Sequence, residues 1–167
     1  VENVARAKAE IFDGVRDDAT AILFGQDQQR HIIEPIARAS NRLKRILFFD
    51  SHHPADIFAS NIQPAADSIS FTICTNEGRV PATVHSPARF MVDNALAAAA
   101  VAACAGIGTA GIQQGLKQFK SGSGRMDISA DSSGVHIIDD SYNANPLSVT
   151  QALKTLADLS RQQLSIA

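Results

Sequence analysis

The sequence of 167 residues lacks several features that would point directly to a class of protein. It has only two cysteines, Cys74 and Cys104, and their neighbours suggest burial, so a reducing cytoplasm is the simplest setting. Its 15 basic residues are balanced by 17 acidic ones, and no basic patch predicts a nucleic-acid partner. No apolar run is long enough to cross a membrane. We therefore expect a cytoplasmic protein with no nucleic-acid partner and no membrane insertion.

The sequence also lacks the Gly-x-x-x-x-Gly-Lys-Ser/Thr loop that binds phosphates. The run from Gly106 to Gly111 has the spacing of a dinucleotide-binding motif, but it follows a predicted helix instead of a strand. We therefore interpret Gly106 as a helix C-cap. His52 and His53 are adjacent and would point to opposite sides of an extended chain, with no third ligand nearby, so a surface loop is favoured over a metal site.

What the sequence does contain is a series of predicted strands and helices typical of an α/β fold. Apolar runs over 21–24 and 45–49 predict two strands. A predicted helix over 27–39 lies between them, which favours a parallel pair joined by a right-handed crossover. Pro35 lies inside that helix and predicts a kink or an early end.

The pattern changes after residue 56. Residues 56–85 predict three short strands with tight turns, which together form an antiparallel meander. A long helix over 89–105 has a second half built of small apolar residues, so we expect it to be buried on several faces. A short helix over 109–119 follows, and then a Ser-Gly linker at 121–124.

The first helix, predicted over 2–15, has Val4, Ile11, Phe12 and Val15 on one face, with Lys8 on the same face. Two interpretations of Lys8 stay open from the residues alone. Its ammonium could reach water along the apolar surface. Alternatively, a partly buried amine held neutral by desolvation could react with carbon dioxide, and the resulting carbamate is an anion able to bind a metal.

The most informative stretch runs from residue 124 to 146. Residues 126–130 and 135–138 predict a hairpin with its turn at 131–134, and the second strand ends on Asp139 and Asp140. Ligands of α/β folds tend to bind at the carboxyl ends of strands, so this acidic pair predicts a small-molecule site.

Alternation along the second strand, with Ile137 facing inward, should separate the two carboxylates. Asn145 is a good N-cap before Pro146 and predicts a helix from 146 to about 160. An alternative stays open, in which Asp140, Asn143 and Asn145 only turn and cap the chain.

Three stretches of the sequence resemble the Mur ligases, the ATP-dependent amide-forming enzymes of peptidoglycan precursor synthesis. They are ARAKAEIF over 5–12, NALAAA over 94–99, and GR at 124–125 followed by DDSYNAN over 139–145. The resemblance implies an α/β fold with two domains. The later part of a P-loop-type central domain would occupy 1–121, with parallel strands, a small antiparallel meander and buried helices. The first hairpin and helix of a Rossmann-like C-terminal domain would occupy 122–167.

The resemblance also implies the reaction. A carboxylate is phosphorylated by ATP with Mg²⁺, and an amine then attacks the acyl phosphate. UDP-N-acetylmuramoyl-tripeptide and D-alanyl-D-alanine are the implied substrates of the whole enzyme. In the family the phosphate-binding loop lies upstream, so we expect these 167 residues to be an inactive fragment by themselves.

The resemblance assigns roles to individual residues. Lys8 would be carbamylated and would position the magnesium ion. Arg125 would approach the γ-phosphate, Asp140 would bind the ribose hydroxyls, and Asn94 would lie near the adenine. The family usually has His-Asn where this chain has Phe90 and Met91, so stacking and apolar packing would replace part of the adenine contact. Three further residues would shape the domain junction: Tyr142, Asn143 and Asn145.

Two alternatives to this assignment are kept. One is another Mur ligase or a folylpolyglutamate-type enzyme, with the same chemistry and a different amine. The other is a non-catalytic α/β domain that binds a partner through the exposed edge of its meander.

Overall fold

The computed structural model describes residues 1–52 and 55–162, so His53 of the predicted surface loop lies outside the described residues. A five-stranded sheet forms the centre of the chain, in the order β1-β2-β3-β4-β5. These strands are β1 (Ala19–Phe24), β2 (Leu43–Asp50), β3 (Ile57–Pro64), β4 (Ile69–Thr75) and β5 (Gly78–Val84). The first three strands are parallel and the last three are antiparallel.

The helices and a second, two-stranded sheet complete the fold. They are α1 (Glu2–Ala9), α2 (Ile11–Gly14), α3 (Arg30–Ala39), α4 (Phe90–Cys104), α5 (Thr109–Gln118), β6 (Asp127–Ala130), β7 (His136–Asp139) and α6 (Pro146–Gln162). The predicted α/β class, the parallel pair and the meander are confirmed. The meander is not a separate sheet, because β3 pairs with β2 at Phe49–Ile57 and Asp50–Phe58 and so extends the parallel sheet. No helix in the described ranges combines the length and the apolar character needed to cross a bilayer.

The core forms where α4 packs on the sheet. Alternate residues of β4 point to the same face, so Ile69, Phe71 and Ile73 are all buried there. Val92 and Leu96 of α4 are buried too. The prediction that α4 is buried on several faces needs correction, because Val101 on its other side is exposed.

The N-terminal helix differs from its prediction in extent and in orientation. It is divided into α1 and α2, and the buried side consists of Ala5, Ala9 and Phe12. Val4 and Ile11 are 57% and 64% exposed, and Lys8 is exposed as well. Alanines allow α1 to pack closely against its neighbours, whereas the prediction had followed the larger side chains. The partly buried amine predicted for Lys8 is therefore not observed.

Pro35 lies inside α3 and does not end it, because the helix continues past it to Ala39. Proline removes one helical hydrogen bond. Burial of Ile32 and Ala37 on the same helix outweighs that loss. Of the two outcomes predicted for Pro35, the early end is wrong and the kink stays a prediction.

The glycine-rich run after α4 forms a helix cap, as predicted. The N–H of Gly106 donates to the carbonyl of Ala103 (3.0 Å), and the N–H of Ile107 donates to the carbonyl of Ala102 (2.9 Å). These two bonds define a Schellman motif and satisfy carbonyls at the helix end. Of the two cysteines, Cys74 is buried as expected but Cys104 is exposed, because it lies on the last turn of α4.

The last strand of the meander, β5, is covered by α5. Gln113 Nε2 donates to the carbonyl of Pro81 at 3.1 Å, and proline itself has no N–H to offer. A covered edge with a proline is a poor template for strand addition by a partner. The structure therefore gives no support to a binding module that works through this edge.

Candidate functional site

The hairpin of β6 and β7 is present as predicted and is closed by Asp131. Its Oδ1 accepts bonds from the N–H groups of Ser133 (2.8 Å) and Val135 (2.9 Å) and from the Ser133 hydroxyl (2.6 Å). These bonds, the Ser133 hydroxyl first, lower the pKa of Asp131. The hairpin pairs Asp127 with Asp139, so the start of β6 lies next to the end of β7.

At that point the chain makes a tight turn over Gly124, Arg125 and Met126, the Gly-Arg-Met turn. Gly124 (φ +69°) and Met126 (φ +56°) both have left-handed backbones, one on each side of Arg125. A Cβ on Gly124 would lie 3.1 Å from Ser141 Oγ and 3.3 Å from the Tyr142 nitrogen. Both the dihedral angle and the close approach of the second strand's end therefore require glycine there.

Hydrogen bonds fasten the Gly-Arg-Met turn to the end of β7. The N–H of Tyr142 donates to the carbonyl of Gly124 (3.0 Å), and the N–H of Met126 donates to Asp140 Oδ1 (3.2 Å). On the other side, the Ser121 hydroxyl donates to the carbonyl of Arg125 (2.7 Å). The backbone around Arg125 is thus held by its own neighbours on both sides.

The two acids at the end of the hairpin bind different partners. Asp139 is exposed, and its Oδ1 accepts from the N–H of Ser141 at 3.1 Å. The hydrogen bonds from Ser141, that of its side chain first, lower the pKa of Asp139. Asp140 is half-buried, and only its Oδ1 accepts a hydrogen bond within the described part of the chain. Its Oδ2 is therefore available to a ligand.

The alternation that was predicted for this strand runs the other way. Ile138 is half-buried, whereas Ile137 is 50% exposed. Asp140 shares the more buried side with Ile138, as the two-residue period of a strand requires.

Arg125 and Tyr142 are in direct contact. The guanidinium carbon lies 3.8 Å from the centre of the tyrosine ring. This distance is that of a cation–π stack. Across residues 1–52 and 55–162, the guanidinium has no hydrogen bond or ion pair. Its N–H groups remain available while the guanidinium carbon lies over the ring.

Asn145 and Asn143 both take part in the start of α6. Asn145 Oδ1 accepts from the N–H groups of Leu147 (2.9 Å) and Ser148 (3.0 Å), so the predicted N-cap is confirmed. The Ser148 hydroxyl donates to the carbonyl of Asn143 at 3.2 Å. The observed contacts of Asn143 and Asn145 are therefore those of the alternative in which they only turn and cap the chain.

Lys8 and Asn94 are not brought to the Gly-Arg-Met turn by any hydrogen bond or ion pair of the described residues. The ammonium of Lys8 is exposed. Asn94 is exposed on α4, and its Nδ2 lies 3.6 Å from the sulfur of Met91. Phe90 and Met91 are half-buried. The roles of Lys8 and Asn94 stay predictions.

An acidic pair at the carboxyl end of β2 was not found from the sequence. Asp50 is 3% exposed, and its Oδ1 accepts from Gln26 Nε2 (3.0 Å) and from the N–H of His52 (2.7 Å). Burial raises the pKa of Asp93, and the nearby Ser51 only partly offsets that rise. The position of Asp50 at a strand end was a signal, whereas the approach of Asp93 depends on how α4 packs.

The described residues contain no group of three or more His, Cys, Asp or Glu side chains that could hold a metal ion. The buried Asp50 and the half-buried Asp93 therefore have no third carboxylate, His or Cys grouped with them among the residues that the structure describes.

Comparison with known proteins identifies the family. Residues 1–102 match the model of the Mur ligase middle domain. The chain belongs to the Mur ligase family. Among curated Mur ligases, it is 33% identical over 156 residues to the UDP-N-acetylmuramoyl-tripeptide--D-alanyl-D-alanine ligase of Escherichia coli (strain K12), a match that covers 93% of this chain and 34% of the relative.

Solved structures agree with that family. The MurF ligase of Acinetobacter baumannii superposes with a TM-score of 0.83 at 30% identity, over 92% of this chain and 32% of that one. The MurF ligase of Thermotoga maritima, solved in complex with ADP, gives a TM-score of 0.74 at 20% identity, over 93% of this chain and 34% of that one, and so shows the shared fold. This Mur ligase chain spans about a third of the length of the relatives it matches.

Proposed function

We propose that this chain is part of an ATP-dependent ligase that joins D-alanyl-D-alanine to UDP-N-acetylmuramoyl-tripeptide in the cytoplasm. The identity to the Escherichia coli ligase and the likeness to the Acinetobacter baumannii enzyme support this substrate pair over those of other Mur ligases. In that reaction a new amide C–N bond forms as the acyl C–O bond to phosphate breaks; inorganic phosphate leaves, and the neutral amine loses one proton to water or a base and keeps the other as the amide N–H.

The observation that carries the proposal is the fastening of Asp140 to the Gly-Arg-Met turn. The bond from the N–H of Met126 to Asp140 Oδ1 holds a carboxylate against the backbone of the residue that follows Arg125. A nucleotide needs a cation beside its phosphates and an acceptor beside its ribose hydroxyls. Arg125 would bind the γ-phosphate, and Asp140 Oδ2 would accept from the ribose.

The remaining assignments concern α1 and α4. Asn94 would bind the adenine edge with Phe90 and Met91 packed beside it. Lys8 is exposed in this chain, so its amine would first have to lose its proton before it attacks carbon dioxide; the resulting carbamate would supply an oxygen ligand to magnesium. Bound magnesium would offset phosphate charge during transfer. Tyr142, Asn143 and Asn145 would shape the junction between two domains, 1–121 and 122–167.

The test of Asp140 uses the full-length ligase and the Michaelis constant for ATP. Two charge-assisted hydrogen bonds to a ribose diol contribute about 1.5–3 kcal/mol each, so Asp140→Ala should raise the ATP KM by about tenfold or more. Asp140→Asn should do less harm, because its remaining oxygen can still accept from the N–H of Met126.

Asp139→Ala is the matched control, since it removes the neighbouring acid. It should mainly lower the melting temperature and leave the ATP KM near normal. If Asp139→Ala weakens ATP binding and Asp140→Ala does not, the assignment of the ribose contact is off by one residue.

Lys8 is tested by its own variant in the same enzyme. Lys8→Ala should strongly reduce turnover, and short carboxylic acids should restore part of it by replacing the carbamate. Lys117→Ala, an exposed lysine on α5, is the control and should not respond to added acids. Normal turnover of Lys8→Ala would show that Lys8 is only a surface residue.

A further inference from the structure

The proposed function gives no role to the contact between Arg125 and Tyr142. This contact nevertheless involves the Arg125 side chain, which the proposed function assigns to the γ-phosphate. The chain contains a single tyrosine, and its ring lies 3.8 Å under the Arg125 guanidinium. Tyr142 is 67% exposed, so burial does not account for its position.

The way in which a cation is held decides whether it can bind a ligand. A carboxylate partner would occupy the N–H groups of the guanidinium and would have to be displaced by an incoming phosphate. An aromatic ring contacts only the flat face, and the in-plane N–H groups stay directed outward. Stacking therefore orders the arginine without competing for its hydrogen-bond donors.

The backbone makes the same arrangement rigid. The N–H of Tyr142 donates to the carbonyl of Gly124 at 3.0 Å, so the residue that carries the ring is bonded to the residue directly before Arg125. The left-handed residues Gly124 and Met126 fix the direction in which Arg125 leaves the chain. Ring and cation are thus brought together by the Gly-Arg-Met turn itself.

We propose that Tyr142 is a positioning residue that holds the Arg125 guanidinium ready for the terminal phosphate of a nucleoside triphosphate. This inference rests on the proposed function of Arg125. Because the ring orders the arginine before the nucleotide arrives, its loss weakens ATP binding more than turnover at saturating ATP. The tyrosine hydroxyl takes no part, since only the ring face contacts the cation.

The test compares ATP KM values in the full-length ligase. Tyr142→Leu should raise the ATP KM by about two- to fivefold, the range expected for an exposed cation–π contact, with the KM for D-alanyl-D-alanine unchanged. Tyr142→Phe should recover most of that loss because it restores the ring. Leu147→Ala is the matched control: Leu147 is also 67% exposed, and its truncation should leave the ATP KM unchanged.

A variant that lacks the Arg125 guanidinium separates this inference from the proposed function. In Arg125→Met, the further change Tyr142→Leu should have no added effect on the ATP KM. An equal increase in both backgrounds, or no recovery in Tyr142→Phe, would overturn the positioning role of Tyr142. If Arg125→Met itself leaves the ATP KM unchanged, the phosphate role of Arg125 fails, and the Tyr142 inference fails with it. If Arg125→Met raises the KM and Tyr142→Leu does not, only the inference fails.

Discussion

The N-terminal and the C-terminal regions of this chain are each stabilised by different interactions. Residues 1–119 form a sheet and helices around fully buried side chains, among them Ile69, Ile73 and Leu96. Residues 121–162 have two buried side chains among those described, Met126 and Thr155. Many of their larger apolar side chains are exposed, including those of Val135, Ile137, Tyr142, Leu147, Leu153 and Leu156.

The second region is shaped by polar side chains that bond to nearby backbone. Asp131 closes the hairpin, Asp140 holds the Gly-Arg-Met turn, and Asn145 caps α6. Each such hydrogen bond contributes about 0.5–1.5 kcal/mol to stability. Truncating one buried leucine costs about 2–5 kcal/mol. The candidate site therefore has a defined local geometry but few buried side chains. Regions of this kind are the ones that open locally at the lowest free energy.

The largest expected difference between the regions is in the cost of losing a leucine. Leu96→Ala, at a site with no exposure, should lower the free energy of unfolding by about 2–5 kcal/mol. Leu153→Ala on α6, where the side chain is 60% exposed, should cost about 0.5 kcal/mol or less. Urea unfolding of this chain measures both. Equal losses would show that α6 has a core of its own.

The second difference concerns glycines in the candidate site itself. Gly124→Ala combines a left-handed backbone (φ +69°) with contacts of 3.1 and 3.3 Å, and should cost about 1–3 kcal/mol. Gly134→Ala in the hairpin loop has φ +85° but open space around its Cβ, so it should cost only the backbone strain, about 1 kcal/mol. Thermal unfolding measures the pair. If both lose the same amount, the close approach of Ser141 and Tyr142 carries no energy.

The sequence predicted the features that depend on neighbouring residues. The strands that became β1 and β2, the hairpin turn and the Asn145 cap all have local signals: apolar β-branched runs, a glycine after polar residues, and Asn before Pro. For the same reason the Schellman cap at Gly106 was separated correctly from a nucleotide-binding motif.

Features that depend on packing were not predictable in the same way. The buried side of α1 consists of Ala5 and Ala9, which carry a weak hydrophobic signal, so the face with Lys8 was assigned to the wrong side. The stack of Arg125 on Tyr142 joins residues on opposite sides of the hairpin, and only the register of β6 and β7 brings them together. Asp93 is another such case, because its burial depends on the position of α4.

The smallest expected effect is a pair of opposite pH dependences. Burial raises the pKa of Asp93, so the folded state binds this proton more tightly than the unfolded state does. The free energy of unfolding should then fall as pH rises from the ordinary value near 3.8 through the raised one. Asp93→Asn removes this fall, so the variant should gain more in melting temperature at pH 7 than at pH 4.

Asp139 should behave in the opposite way, because hydrogen bonds from Ser141 lower its pKa. Its contribution is present above the ordinary value near 3.8 and is lost as pH falls through the lowered one. Asp139→Asn should therefore lower the melting temperature slightly at pH 7 and have no effect in strong acid. Melting curves of both variants between pH 3 and 8 measure the contrast. If the melting temperatures of the Asp93 and Asp139 variants changed with pH in the same direction, the two acids would not differ in the sign of their pKa shifts. The contrast between the two regions would then not extend to these acids.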